Sequence, residues 1–139
     1  IIDMLRQRSR PYLFSNSIPP MVAAAGIEAL NIMQNSNDLQ DKLHANTEYF
    51  VSKMKAAGFD IKPTESAICA VMLYDAKLSQ DMAAAMMKEG IYVTGFYYPV
   101  VPKGQARIRV QISAAHEREH LDKCIAAFTK IGKELGVLK

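Results

Sequence analysis

The sequence has 139 residues, a length that suits one domain and hardly two. Apolar residues make up 50% of it and charged residues 22%, which excludes a disordered or fibrous chain and allows a core without covalent staples. Seventeen Lys and Arg against fourteen Asp and Glu leave a formal charge of +3, too small and too dispersed to argue for a nucleic-acid partner.

The two cysteines, Cys69 and Cys124, each sit in an apolar segment. They argue against a disulfide scaffold and for a reducing compartment. No stretch approaches the roughly 20 apolar residues that span a bilayer, and no charged segment leads into an apolar run as in a signal peptide. A soluble, intracellular protein with no membrane partner is expected.

Residues Ile1 to Arg10 lack an initiator Met and read as the end of a helix already under way, so a missing beginning is expected. Arg6 to Pro20 is basic at first and then bounded by prolines, which predicts an ordered extended connection; adjacent Pro19 and Pro20 can begin a helix but not lie inside one. Met21 to about Gln34 reads as a helix with Ala23, Ile27, Leu30 and Met33 on one face. Gly26 marks either a close packing contact or a weaker helix. Ser36, Asn37 and Asp38 are capping candidates for a second helix, in which Leu39, Leu43, Phe50, Met54 and Ala57 recur at helical spacing before Gly58 stops it.

Phe59 to Ile61 reads as a short strand and the almost continuously apolar Ala67 to Tyr74 as a central one. Asp75 to Glu89 is a predicted helix with Leu78, Met82, Ala85 and Met86 inward, ended by Gly90. Ile91 to Val93 reads as another short strand, followed by a loop through Gly104. Next comes a period-two segment: Ala106, Ile108, Val110 and Ile112 on one face, Arg107, Arg109, Gln111 and Ser113 on the other. A last helix from about Glu117 to Leu135 turns Leu121, Ile125, Phe128, Ile131 and Leu135 to the core. This order predicts a two-layer α/β unit in which helices cover one face of a small, partly antiparallel sheet.

Four features bear on chemistry. His116-Glu117-Arg118-Glu119-His120 satisfies the H-E-x-x-H pattern of zinc proteases. It lies at a helix start, however, and no third ligand is evident, so a role in starting that helix is the expectation and no metal site is assigned. Arg107 and Arg109 on one polar strand face are either solvent arginines or hold one arginine for an anion, whose carboxylate a guanidinium grips with two parallel hydrogen bonds. Ser15-Asn16-Ser17 supplies two hydroxyls and an amide, which are either ordinary turn residues or donors to phosphate oxygens. Lys103 and Gly104 form a turn or part of the mouth of a cofactor site.

Arg8-Ser9-Arg10-Pro11-Tyr12-Leu13-Phe14-Ser15-Asn16-Ser17 and the block from Tyr98 to His116 resemble the carboxyl-terminal part of the α-oxoamine synthases, a family of fold-type I pyridoxal phosphate enzymes. The resemblance implies the C-terminal small domain of such a transferase, a small mixed or antiparallel sheet covered by helices, at 21–139. Residues 1–20 would then be the end of a large-domain helix and the interdomain or dimer-crossing connection.

It further implies a pyridoxal 5'-phosphate cofactor and a homodimer with shared active sites. Ser15 and Asn16 match the positions that reach the cofactor phosphate of the neighbouring subunit. Arg109 matches the arginine that binds the amino acid carboxylate, and no catalytic role is carried onto His116. The blocks favour the family branch that condenses glycine with acetyl-CoA to 2-amino-3-oxobutyrate, in the cytoplasm or in the mitochondrion of a eukaryote. The family's Schiff-base lysine has no match in this sequence, so the chain alone is expected to be inactive. A sister synthase using another acyl group or amino acid, and a separate non-catalytic interaction domain, are the alternatives.

Overall fold

The computed structural model describes residues 1–138, apart from the Leu13 side chain; Lys139, the last residue of the expected small domain, lies outside the described residues. The chain divides into two compact units, Ile1–Asn37 and Asp38–Lys139. The first holds α1 (Ile2–Arg8), α2 (Arg10–Phe14) and α3 (Pro20–Asn35). The division leaves α3 in this first unit, whereas the sequence reading begins the small domain at Met21.

Part of the connection expected to be extended is helical. Pro11 falls in the first turn of α2, where its missing N–H costs nothing, and the Ser15 N–H closes that helix on the Pro11 carbonyl at 3.0 Å. Extended backbone begins at Ser15, with φ −79° and ψ 150°. Pro19 then caps α3 and Pro20 opens it, as adjacent prolines require. No residue of α3 is buried within the chain, so the stripe of Ala23, Ile27, Leu30 and Met33 covers no core here. Gly26 meets nothing within 4 Å, and close packing within the chain is not its role.

The second unit holds α4 (Asp38–Ala56), β1 (Ile61–Lys62), β2 (Ile68–Tyr74), α5 (Ala76–Lys88), β3 (Thr94–Phe96), β4 (Ala106–Gln111) and α6 (Arg118–Glu134). The four strands form one sheet in the order β1-β2-β4-β3, and every pair is antiparallel. Helices covering a small antiparallel sheet are the architecture that the sequence predicts. No helix is long and apolar enough to cross a membrane among the described residues.

The core lies between the sheet and α4, α5 and α6. Phe50 and Met54 of α4, Met82 and Met86 of α5, Phe128 and Ile131 of α6 and Val71 and Ile108 of the sheet are buried in one cluster. Leu39, placed on the α4 core face by spacing alone, is instead exposed. α5 starts cleanly because the Asp75 carboxylate accepts from the Leu78 N–H at 2.7 Å. Between α4 and the first turns of α6, the Tyr49 hydroxyl donates to Asp122 at 2.5 Å and the Arg118 guanidinium lies 3.6 Å from the Tyr49 ring centre. The hydrogen bond to Asp122 raises the Tyr49 pKa above its ordinary value.

The third strand lies at Thr94–Phe96 and not at the predicted Ile91 to Val93. Pairing with β4 begins only at Thr94 opposite Arg109. Gly95, which reads as a loop residue, sits in the strand because α5 crosses directly beneath it: a Cβ there would lie 2.8 Å from the Ser79 carbonyl oxygen. Only a residue without a side chain permits that approach.

In β4 the alternation is as the sequence predicts. Ala106, Ile108, Val110 and Ile112 are buried, Ile108 completely, while Arg109 and Gln111 are exposed. Ile108→Ala is therefore expected to cost about 2 to 4 kcal/mol, read as a shift in the chemical denaturation midpoint. Gly95→Ala is expected to destabilise by about 1 to 3 kcal/mol through forced displacement of β3 from α5. Calorimetric melting of that variant against wild type checks it, and an unchanged melting temperature would show that the contact yields freely.

Candidate functional site

Arg107 and Arg109 leave the same face of β4 but differ in what they touch. Arg107 turns back on its own chain: its Nε donates to the Gln105 carbonyl at 3.1 Å and a terminal nitrogen reaches the Gln105 side-chain oxygen at 3.5 Å. Arg109 makes no ion pair or hydrogen bond through its side chain among the described residues. Its guanidinium lies over the Phe96 ring, 4.2 Å from the centre. This contact with the ring engages no hydrogen-bond acceptor, which leaves the five N–H donors of the guanidinium without partners among the described residues. A planar fork with that freedom suits a carboxylate, and a lysine in its place would lack the second parallel donor.

Arg109 lines a cleft of about 730 Å³ on the open side of β4, where β3 no longer covers it. Tyr92, Phe96, Gln111, His116, His120 and Lys123 share its walls, and no Asp or Glu among the described residues does. A concave site with cations and no acidic residue favours an anionic ligand. Cys124 also lines the cleft. Burial pushes the thiols of Cys124 and Cys69 up to about 11, so neither is an activated nucleophile near neutral pH. Both are free.

The H-E-x-x-H residues are engaged in building the turn from β4 into α6. The Ser113 N–H donates to His116 Nδ1 at 3.2 Å, and the Glu117 N–H donates to His120 Nδ1 at 3.0 Å. Glu117 is the N-cap of α6, so His116 precedes the helix and does not share a helical face with His120. The Glu117 carboxylate accepts from Lys42 at 2.6 Å, and that ammonium holds its pKa below the ordinary value. No group of three or more metal-ligating side chains occurs among the described residues.

Asn46, which the sequence reading missed, ties this turn to α4. It is buried, and its side-chain nitrogen donates to the carbonyls of Ser113 at 3.2 Å and His116 at 2.8 Å. The signal was available: an amide in the middle of an apolar helical face requires partners. At the other side of the domain Lys103 lies 5.1 Å from the Tyr98 ring centre, and the turn closes through Gly104 at φ +75°.

Ser15 and Asn16 belong to the first unit, Arg109 to the second. The exposed Ser15, Asn16 and Ser17 side chains make no hydrogen bond to any described residue. Two hydroxyls and an amide on extended backbone are a donor set that fits the phosphate of pyridoxal phosphate.

Residues 1–128 match the family described as Aminotransferase class I and II. The 2-amino-3-ketobutyrate coenzyme A ligase of Escherichia coli K12 is 54% identical over 138 residues, 99% of this chain and 35% of that protein. The 8-amino-7-oxononanoate synthase of Petrotoga mobilis is 49% identical, with 99% and 35% covered. Among solved structures, the serine palmitoyltransferase of Sphingomonas wittichii superposes with a TM-score of 0.91 at 26% identity, over 99% of this chain and 35% of that one. The chain thus spans about a third of the length of the curated relatives it matches. The sheet and helix order and these likenesses agree: the chain belongs to the aminotransferase class I and II family, with the architecture of a fold-type I pyridoxal-phosphate-dependent transferase domain.

Proposed function

We propose that this chain is the C-terminal part of a pyridoxal-phosphate-dependent acyltransferase that condenses glycine with acetyl-CoA, its second unit the core of the small domain. In that reaction a glycine Cα–H bond breaks and a bond forms between the Cα and the acetyl carbonyl carbon, the proton balance closing when coenzyme A leaves as its thiol. The thioester C–S bond breaks, coenzyme A leaves, and 2-amino-3-oxobutyrate is the product. Pyridoxal phosphate, when bound, supplies the electron sink that stabilises negative charge at the amino acid Cα.

The observation that carries the reading is the unpaired Arg109 fork in a cleft without carboxylates. It would hold the glycine carboxylate by two parallel hydrogen bonds and so orient the Cα. Being on a strand, it keeps that direction better than a loop residue would. Ser15 and Asn16 would donate to the cofactor phosphate of the neighbouring subunit in a homodimer, which makes each active site a shared one.

The identity to a 2-amino-3-ketobutyrate coenzyme A ligase supports glycine and acetyl-CoA as substrates. The 49% identity to an 8-amino-7-oxononanoate synthase supports a second reading, in which a longer acyl thioester or alanine is used. Rates with acetyl-CoA and glycine against longer thioesters and alanine separate the two. Relatives from mouse and human are described as mitochondrial; the corresponding location here is the cytoplasm, or the mitochondrion if the source is eukaryotic.

In the intact enzyme, Arg109→Ala is expected to lower kcat/KM for glycine at least about 30-fold, because losing one side of a charge-assisted pair costs roughly 2 to 5 kcal/mol. Arg109→Lys keeps the charge and loses the fork, and should be impaired as well. Arg107→Ala should do much less. Near-normal catalysis in folded, cofactor-loaded Arg109→Ala enzyme would sink the assignment.

Ser15→Ala combined with Asn16→Ala is expected to weaken pyridoxal phosphate binding at least about 10-fold, since hydrogen bonds to a charged group contribute about 1.5 to 3 kcal/mol each. The melting temperature of the cofactor-free protein should stay unchanged. Equilibrium dialysis showing wild-type cofactor affinity would remove the phosphate role of these side chains.

A further inference from the structure

We propose that Phe96 is a positioning residue for the amino acid substrate: it fixes the plane of the Arg109 guanidinium and thereby sets affinity for the carboxylate. The inference rests on the carboxylate reading of Arg109. A guanidinium at the end of a flexible stem matches both carboxylate oxygens only while its plane is held. Neither an acidic side chain nor a carbonyl holds it here among the described residues. Its contact is the Phe96 ring, 4.2 Å from the guanidinium carbon. That contact restrains the guanidinium without pairing any of its donors with an acceptor. Arg107, which donates to Gln105 twice, shows the opposite arrangement on the same strand.

The sheet register sets this pair. β3 opposes Thr94 to Arg109 and Phe96 to Arg107, so Phe96 is the diagonal neighbour of Arg109 on one sheet face, within reach of an aromatic ring. β3 is held from the other face as well. Gly95 lies flush on α5 at Ser79, which is fully buried, and the Ser79 hydroxyl donates to the Ala76 carbonyl at 2.8 Å. α5 therefore fixes β3, β3 fixes the ring, and the ring fixes the guanidinium.

The test uses the intact, cofactor-loaded enzyme with Phe96→Leu, Phe96→Met and Phe96→Tyr, each in the wild-type and Arg109→Ala backgrounds. Glycine KM, acyl-CoA KM, calorimetric glycine Kd and melting temperature are measured. Phe96→Leu is expected to raise glycine KM and Kd about 5-fold, the scale of one cation–π contact, with acyl-CoA KM unchanged. Phe96→Tyr, which keeps the aromatic face, should stay within about 2-fold of wild type. In the Arg109→Ala background Phe96→Leu should add nothing, because there is no guanidinium left to orient. Phe96→Met is read in the same way should Phe96→Leu fail to fold.

Equal effects of Phe96→Leu in both backgrounds, a parallel rise in acyl-CoA KM, or no effect in wild type would overturn the positioning role. Unchanged glycine affinity in Arg109→Ala itself would overturn the carboxylate reading beneath it, whereas impaired Arg109→Ala beside silent Phe96→Leu removes the role of Phe96 alone.

Discussion

One residue of register in β4 decides both the core and the candidate site. Ile108 is fully buried and Arg109, its neighbour, is exposed. A slip by one position would turn the guanidinium into the cluster of Phe50, Met82 and Phe128 and put Ile108 in water. An unpaired charge in that place costs several kcal/mol, so the slipped sheet is excluded on energy alone. The ladder to β2 enforces the choice from Ile68 opposite Gln111 to Met72 opposite Arg107, beyond which the register shifts and Tyr74 opposes Ala106. The Ile112 N–H extends it by one bond to the Ala67 carbonyl at 2.9 Å. Correct folding and the sheet face from which Arg109 emerges are thus one event.

The turn that follows β4 shows how a motif can satisfy a pattern and serve another purpose. His116, Glu117 and His120 have metalloprotease spacing, yet each is used to satisfy backbone groups where strand becomes helix. The first amides of a helix have no intrahelical acceptor. Glu117 accepts from the third residue of α6 while the imidazole of that residue accepts from the Glu117 N–H, a reciprocal cap built with histidine. Asn46 closes the turn from beneath, since carbonyls 113 and 116 lie side by side and its amide nitrogen carries two hydrogens. Lys42, one helical turn before Asn46, holds the Glu117 carboxylate. One face of α4 therefore fixes the base of the cleft in which Arg109 stands.

Much of this was legible in the sequence, for physical reasons. The period-two run of β4 and the helical stripes of α5 and α6 are long patterns that a single core satisfies, so local and tertiary preferences agree. What escaped depended on contacts between segments far apart in the chain. β3 lies beyond the apolar Ile91 to Val93 because α5 approaches Gly95 closely, a contact that local strand propensity does not reveal. Asn46 was passed over because its partners are some 70 residues away. The Phe96 stack needs the β3 register before it can be seen. Residues 1–10 read as a helix end and α1 is helical there, whereas α2 lies in the stretch expected to be extended, because prolines and polar residues allow both states and Pro11 falls where a helix tolerates it.

The two parts of the proposed site make different physical demands. A carboxylate anchor needs fixed direction, and Arg109 obtains it from a strand, an aromatic face and a helix packed beneath. A phosphate grip needs several donors without competing partners, and under the proposed reading Ser15, Asn16 and Ser17 would provide them on backbone that neither α2 nor α3 includes. Pro19 and Pro20 limit the motion of that segment at one end and the closed turn of α2 limits it at the other, which lowers the entropy lost when a ligand orders it. α3 adds a further demand. A helix apolar on most sides with every large side chain exposed, Ile27 at 61% and Met33 at 70% among them, gains stability only when more apolar surface covers it. Under the proposed reading that cover belongs to the dimeric enzyme, and the same assembly that shields α3 brings the phosphate donors to a cofactor.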